Sequence, residues 1–151
     1  MLRRILPLVL LALMPLFAES DEEQITTQVQ RYAQGIVTLA TTGSEKHFEG
    51  IVTPPLQTKL MLWIKAWQDD NLHMDAQIKK IAVNSLERNA TAAKVVTKEA
   101  WSYQYINTKL KKIVLPRTDI HYLIEYSLQK NGDRWIIDNV ETLFEEQSRP
   151  Q

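Results

Sequence analysis

The hydrophobic positions of residues 21–70 recur at intervals of three and four, the period of an α-helix with one buried side. The first stripe spans residues 25–39, after three acidic residues that favour a helix start and before Gly43, which suits a helix end. The second stripe follows Thr53-Pro54-Pro55, a helix-start pattern. The apolar positions of this second stripe are Leu56, Leu60, Trp63, Ile64 and Trp67. Two helices are therefore predicted, with a short helical turn between them that Ser44 can cap.

Beyond residue 75 the period changes to two, which predicts β-strands at residues 76–86, 91–106, 118–128 and 135–140. Residues 76–86 also permit a helix. Residues 108–117 are predicted to form a basic connection that contains Pro116. Asn131-Gly132 is a hairpin sequence, and centring the loop on these two residues places Leu128 opposite Trp135 and Tyr126 opposite Ile137.

Helices that precede an antiparallel sheet predict an α+β fold, with the N-terminal helices packed on a curved sheet of about four strands, shaped like a cone. We find no internal repeat and no linker between domains. One domain is therefore predicted for residues 21–145, followed by a disordered tail at residues 146–151.

The first twenty residues have the three-part pattern of a cleavable export signal. A basic start with Arg3 and Arg4 precedes an apolar run at residues 5–17, and small residues follow at Ala18 and Ser20, after either of which cleavage is possible. The apolar run is shorter than the roughly 20 residues that span a bilayer. We therefore expect an exported protein of a Gram-negative bacterium, periplasmic or secreted, with no stable membrane span after cleavage.

Composition and net charge exclude several kinds of site and partner. The chain has no cysteine, which excludes disulfides, thiolate metal sites and cysteine nucleophiles. The formal charge is zero, and loss of Arg3, Arg4 and Glu19 with the signal changes it only to about −1. A near-neutral chain has no general attraction for nucleic acid, so no nucleic-acid partner is expected.

The strand sequences carry a resemblance to a known family. Ala92-Ala93-Lys94-Val95-Val96-Thr97-Lys98-Glu99, then residues 121–128, then Asn131-Gly132-Asp133-Arg134-Trp135-Ile136-Ile137-Asp138 resemble the strand pattern of the nuclear-transport-factor-2-like superfamily. They are most similar to the small IMS-type domains of plastid-division and cyanobacterial proteins. The resemblance covers roughly residues 21–142 and implies helices on a cone-shaped sheet. Members of the superfamily include enzymes, secretion components and interaction modules, so the fold does not decide the function.

An alternating face of the second strand is the first candidate site. Glu99 shares this face with Trp101, Tyr103 and Tyr105, and a carboxyl group among aromatic rings can act as an acid or base. The alternative is a partly buried face on which Glu99 reaches solvent or a basic partner. The ligand-binding candidates are Trp101, Tyr103, Tyr105, Tyr126 and Trp135. These rings either line an apolar pocket or pack in the core.

Three other sets of residues are weaker candidates for a functional site. In the expected register Glu125 lies opposite Asp138, with His121 on the same face, an arrangement that suits a metal or a solvated outer surface. His47 and His73 lack a spaced partner, no zinc motif occurs, and the four glycines form no phosphate loop, so no metal and no cofactor is expected. The basic connection at residues 108–117 either contacts an anionic partner or membrane, or is a solvated hairpin.

Three functions remain open from the sequence. The first is an exported non-catalytic binding module that uses the sheet face or the cone pocket for a protein partner or a small apolar ligand, with a possible homodimer through the sheet. The second is a small exported isomerase-like or dehydratase-like enzyme in which Glu99 transfers protons with Tyr103 or Tyr105. The third is a component of an envelope or secretion assembly. Only one inward carboxylate is expected, which favours the first or the third.

Overall fold

A computed structural model describes residues 19–148 of the chain. Two helices come first, α1 (Asp21–Thr42) and α2 (Pro54–Asp69), with a 3₁₀ turn at Lys46–Phe48 between them. Four strands follow: β1 (Leu72–Arg88), β2 (Ala92–Asn107), β3 (Lys112–Asn131) and β4 (Arg134–Ser148). The strands form one antiparallel sheet in the order β1-β2-β3-β4, and both helices lie on one face. The predicted α+β class is confirmed.

The helix ends match the expected stop and start signals. Ser20 accepts a hydrogen bond from the backbone N–H of Glu23 and so caps α1, and Gly43 ends it in the left-handed conformation at a φ of 72°. Thr53 precedes Pro54 at the start of α2, although its side chain makes no capping bond. The expected cap by Ser44 is wrong, because the 3₁₀ turn begins after Glu45.

The strands extend beyond the predicted segments, by eight residues at the end of β4 and by six at the start of β3. Residues 112–117 were expected in a connection, but they belong to β3, with Lys112 paired to Asn107. The turn is short because the Asn107 side-chain oxygen accepts the backbone N–H groups of Lys109 and Leu110, at 3.0 and 2.8 Å. Pro116 lies where the β2–β3 register shifts, the kind of position at which a strand tolerates proline.

The β3–β4 hairpin has a different register from the predicted one. Its loop is Gly132-Asp133, and Asn131 pairs with Arg134. Leu128 therefore pairs with Ile137, and Tyr126 pairs with Val140 after a bulge. The register moves because Gly132 takes a positive φ of 66° in the loop, whereas Asn131 remains in the ladder. The partner of Leu128 thus moves by two positions from the predicted one. Because strand side chains alternate with period two, the apolar residues still share one face.

The core fills the space between the helices and the face of the sheet that they cover. One cluster joins α1, the 3₁₀ turn and α2 to the sheet near the β3–β4 hairpin, and a second joins the later part of α1 to β1, β2 and β3. All of the core side chains lie within residues 25–137, so the described segment contains its own core.

The C-terminal end of the last strand lies beyond the predicted domain boundary. β4 continues through Ser148, past the expected boundary at residue 145, so residues 146–148 are strand and not tail. The tail residues 149–151 and residues 1–18 of the export signal predicted for residues 1–20 lie outside the described residues. Glu19 and Ser20 lie inside them and contact the first turns of α1.

Candidate functional site

Glu99 is buried on the helix-covered face of β2, with 2% of its surface exposed. Its carboxylate accepts hydrogen bonds from the hydroxyl of Thr97 at 2.5 Å, the indole N–H of Trp101 at 2.8 Å and the hydroxyl of Tyr126 at 2.7 Å. The alternative expected from the sequence, that Glu99 reaches solvent or a cation, is therefore wrong. Three donors satisfy the hydrogen-bonding capacity of this carboxylate. A satisfied buried network of this kind makes the core rigid and fixes the arrangement of its side chains.

The tyrosines around Glu99 are held in their neutral form. Burial, followed by the nearby Glu99 carboxylate, raises the pKa of Tyr126 far above the usual value of 10.0, and raises the pKa of Tyr32 in the same direction. The Tyr32 and Tyr126 rings meet edge to face at 5.6 Å between centroids. A proton-transfer site needs a route by which substrate reaches its acid or base. The Glu99 carboxylate has no such route, because aromatic rings enclose it.

The five predicted ligand-binding aromatics do not converge on one pocket. Tyr126 and Trp135 belong to the first core cluster, each with 1% of its surface exposed, and Trp101 belongs to the second. The Trp135 indole donates a hydrogen bond to Asp21 at 2.9 Å, which fixes the start of α1 to β4. Tyr103 and Tyr105 lie further along β2, near the β2–β3 hairpin.

Tyr103 and Tyr105 join three rings that were not part of the predicted site. We call this group the aromatic cluster, and its members are Trp63, Trp67, Tyr103, Tyr105 and Tyr122. Trp67 stacks on Tyr105 with centroids 4.5 Å apart and 11° between the planes, and the hydroxyls of Tyr103 and Tyr122 are 3.2 Å apart. Burial and the neighbouring Tyr103 raise the pKa of Tyr105 to about 12. Tyr103 belongs to the second core cluster, and Trp63, Tyr105 and Tyr122 are half-buried and pack against it.

The uncovered face of the sheet has a shallow groove of about 500 Å³, which we call the outer groove. Its apolar floor crosses all four strands, and consists of Ala82, Ala100, Leu123 and Phe144. Leu123 pairs with Lys98 on one side and with Phe144 on the other. Phe144 is 56% exposed, so its ring is available to a partner. The Glu99 side chain bonds on the opposite face, so it does not contribute a carboxylate to this groove.

The rim of the outer groove is basic. Lys80, Lys98 and His121 are exposed around the floor, and neither lysine forms an ion pair within residues 19–148. A groove with an apolar floor and cationic rim suits an apolar side chain next to acidic groups. Glu146 lies opposite His121, and Asp119, two residues before His121 on the same face, is paired with Lys79.

The predicted Glu125–Asp138 pair does not form, because Glu125 pairs with Glu141 in the observed register. Glu125 instead lies 3.6 Å from the ammonium of Lys94. Glu99 and His121 lie on opposite faces of the sheet, as the sequence predicts, since Glu99 pairs with Tyr122 and His121 with Ala100. Within residues 19–148 no group of three His, Asp or Glu side chains is placed to hold a metal ion.

The apolar floor of the outer groove has a signal in the sequence of β3. Tyr122-Leu123-Ile124 is a continuous apolar run, and in an alternating strand its middle residue must face the other side of the sheet. Ala82 and Ala100 similarly occupy outward positions that usually hold polar residues. Phe144 lies beyond the predicted end of the last strand, so no face could be assigned to it.

No protein-family model matches the sequence, and no curated protein matches it. Among solved structures, the intermembrane space region of the chloroplast protein ARC6 superposes with a TM-score of 0.71 at 13% identity, covering 83% of this chain and 98% of that chain. A de novo β-sheet design superposes with a TM-score of 0.45 at 15% identity over 82% of this chain and 88% of the design. The likeness to the ARC6 region shows a shared α+β fold.

Proposed function

We propose that this protein is an exported, non-catalytic interaction module that binds a protein partner through the outer groove. The observation that carries this proposal is the groove itself: an apolar floor drawn from all four strands, with Phe144 exposed and Lys80 and Lys98 on the rim. The partner segment would supply an apolar side chain for the floor and acidic groups for the rim. An enzyme that uses Glu99 is disfavoured because three donors enclose that carboxylate.

The choice of the outer groove over the cone pocket rests on burial. The helix-covered face is filled by Trp101, Tyr126 and Trp135, which are buried in the core. On the outer face, Leu123 and Phe144 lie side by side with no covering element from residues 19–148, so binding there requires no rearrangement. Preformed sites of this kind avoid the free-energy cost of opening a packed core.

We also propose that the chain belongs to the nuclear-transport-factor-2-like superfamily and acts in the periplasm of a Gram-negative bacterium. The expected strand pattern and export signal support this proposal, and so does the fold shared with an intermembrane space region. Within residues 19–148, neither helix has the length and apolar character needed to cross a bilayer.

Site-specific photocrosslinking tests the groove directly. A photoreactive amino acid replaces Phe144 in the groove, and in a matched control it replaces Leu62, an equally exposed apolar residue on α2. We expect a discrete crosslinked adduct from position 144 that the control lacks. Lys98→Glu is expected to lower the yield of this adduct at least tenfold. Adducts identical at both positions, or none at position 144, would contradict the proposal. An adduct with a second copy would identify the partner as this chain itself.

A further inference from the structure

The β2–β3 hairpin ends in a rigid, apolar and basic projection. We call residues 108–116 the hairpin tip. The Asn107 side chain fixes the turn by accepting two backbone N–H groups, and Lys111 adopts a positive φ of 53°. The backbone N–H of Thr108 also donates to the carbonyl of Asn71 at 2.8 Å, which holds the tip against the α2–β1 turn. The tip is therefore an ordered structure with a fixed presentation of its side chains.

The hairpin tip exposes an unusual amount of apolar surface. Eight large hydrophobic side chains are exposed within residues 19–148, and four of them lie in the tip. Their exposed fractions are 63% for Leu110, 61% for Ile113, 57% for Val114 and 39% for Leu115. Contiguous apolar surface of this kind marks a site that contacts something other than water.

These apolar side chains extend on both sides of the hairpin ribbon. Leu115 pairs with Tyr105 and Ile113 pairs with Ile106. Because Tyr105 and Ile106 are successive strand residues and point to opposite faces, Leu115 and Ile113 lie on opposite sides of the ribbon, with Val114 at the bulge between them. The described part of β4 ends opposite Asp119, so no fourth strand lies beside the tip there. A protein groove covers one side of a ribbon, whereas a lipid surface surrounds a projecting end on every side.

The charge of the tip is positive. Lys109, Lys111 and Lys112 are exposed among the apolar residues, and residues 106–118 contain no acidic side chain. The Arg117 guanidinium donates hydrogen bonds to the Asp75 carboxylate and the Ser102 hydroxyl. Asp69 and Asp70 lie at the end of α2, next to Asn71, which bonds to the tip, and Asp69 is paired with Lys65 at 3.0 Å. Three lysines therefore remain to attract an anionic surface.

Aromatic side chains lie directly behind the apolar residues. Leu115 pairs with Tyr105, and Tyr105 stacks on Trp67. Tryptophan and tyrosine favour the boundary between lipid headgroups and hydrocarbon, because their rings are apolar and their tips are polar. The order from the turn inward is thus apolar side chains with lysines, then aromatic rings, then the core.

We propose that the hairpin tip docks this protein on the surface of an anionic phospholipid bilayer. Leu110, Ile113 and Val114 enter the interface, and the three lysines of the tip contact anionic headgroups. Shallow insertion of apolar side chains combined with electrostatic attraction is a general mode of peripheral binding. This membrane contact is separate from the outer groove and leaves that groove free for a protein partner.

The test uses residues 19–151, because the core lies within the described segment and because the apolar residues 1–18 would bind lipid by themselves. The chain has no cysteine, so Val114→Cys places a single polarity-sensitive fluorophore in the tip. Asp133→Cys, in the exposed loop of the β3–β4 hairpin, is the matched control. The vesicles are phosphatidylcholine alone, and phosphatidylcholine mixed with phosphatidylglycerol.

We expect a blue shift of the label at position 114, and not at position 133, with the phosphatidylglycerol vesicles only. Neutralising Lys109, Lys111 and Lys112 to Gln is expected to weaken vesicle affinity roughly 100-fold. Replacing Arg31, Lys46 and Lys59, three exposed cations outside both the tip and the outer groove, with Gln should change it less than about threefold. Because Phe144→Ala leaves the tip intact, it should not alter vesicle binding, and this separates the proposal from that of the outer groove.

Three outcomes would overturn the proposal. The first is no blue shift at position 114 with either vesicle. The second is an equal shift at positions 114 and 133, which would indicate adsorption without a specific orientation. The third is concentration-dependent association of the chain that Val114→Ser abolishes while vesicles remain unbound, which would assign the tip to contact between copies of the protein.

Discussion

The two ends of the sheet use apolar side chains in opposite ways. At the β3–β4 hairpin end, which we call the closed end, Trp135, Ile137 and Tyr126 are buried under α1 and the 3₁₀ turn. At the β2–β3 hairpin end, the open end, four apolar side chains of the tip face solvent. Both ends have hydrophobic residues on the same long strands. What differs is whether another element covers them.

The backbone at the edge of the sheet follows the same division. Near the closed end, Ile51 accepts the backbone N–H of Ile137, and Thr53 donates to the Ile137 carbonyl at 2.9 Å, so the loop before α2 covers the β4 edge. Gln28 bonds to the carbonyls of Gly50 and Trp135 and closes the remaining gap. Towards the open end, residues 141–148 of β4 are all exposed. Stability is therefore expected to concentrate at the closed end, and binding at the open end and on the outer face.

The sharpest test of this contrast compares one buried and one exposed aromatic residue of β4. Trp135→Ala should lower the free energy of unfolding by about 4 kcal/mol, because it leaves a large cavity and removes the bond to Asp21. Phe144→Ala should lower it by less than about 0.5 kcal/mol. Urea denaturation of both variants measures the difference. Equal losses would show that the two ends do not differ in their contribution to stability.

Gly35→Ala tests how tightly the closed end is packed. In an exposed helix this change would stabilise by about 1 kcal/mol. At Gly35 an added Cβ would lie 2.8 Å from a ring carbon of Phe48, so we expect a destabilisation of about 2 kcal/mol instead. Thermal unfolding decides the sign. A stabilised variant would mean that Phe48 moves easily and that the closed end is loosely packed.

Tyr126→Phe tests the hydrogen-bond network at Glu99. Loss of the bond should cost about 1.5 kcal/mol at neutral pH. Because folding raises the pKa of Tyr126 above its usual 10.0, the associated stability is complete below pH 10 and is lost as pH rises beyond it. The wild-type protein should therefore lose stability above pH 10 more steeply than the variant does. Denaturant titrations at pH 8 to 11 measure both slopes, and parallel curves would show that the hydroxyl is not buried.

The smallest expected effect is at the open end. Val114→Ser should change the free energy of unfolding by less than about 0.5 kcal/mol, because the side chain is already 57% exposed. Urea denaturation alongside Trp135→Ala gives the comparison. A loss above about 2 kcal/mol would show that the tip packs against other residues, and would remove the argument for a free docking surface.

Much of the fold was predictable because local patterns encode it. The stripe at residues 25–39 and Gly43 gave α1 its buried side and its end, and Thr53-Pro54-Pro55 gave α2 its start. Alternation predicted four strands and the inward position of Glu99. The β3–β4 register was wrong, because the pairing depends on the conformation of one loop glycine and on a bulge that no periodicity reveals.

The candidate site was predictable only in part. Tyr105 is half-buried near the open end, whereas Trp101, Tyr103, Tyr126 and Trp135 are core residues. The pattern placed all five on the inner face, but it could not say how far along that face the helices extend. The ring that stacks on Tyr105 comes from α2, and the outer groove uses residues from all four strands.

The sequence by itself determined the elements, their order, the α+β class and which strand residues face inward, because these depend on spacing along the chain. Only the tertiary structure decided that Glu99 has three hydrogen-bond donors, that Leu123 and Phe144 form a groove, and that the hairpin tip is uncovered. The physical reason is that burial depends on what packs against a face. A side chain buried under α1 and one exposed beyond it follow the same alternating pattern.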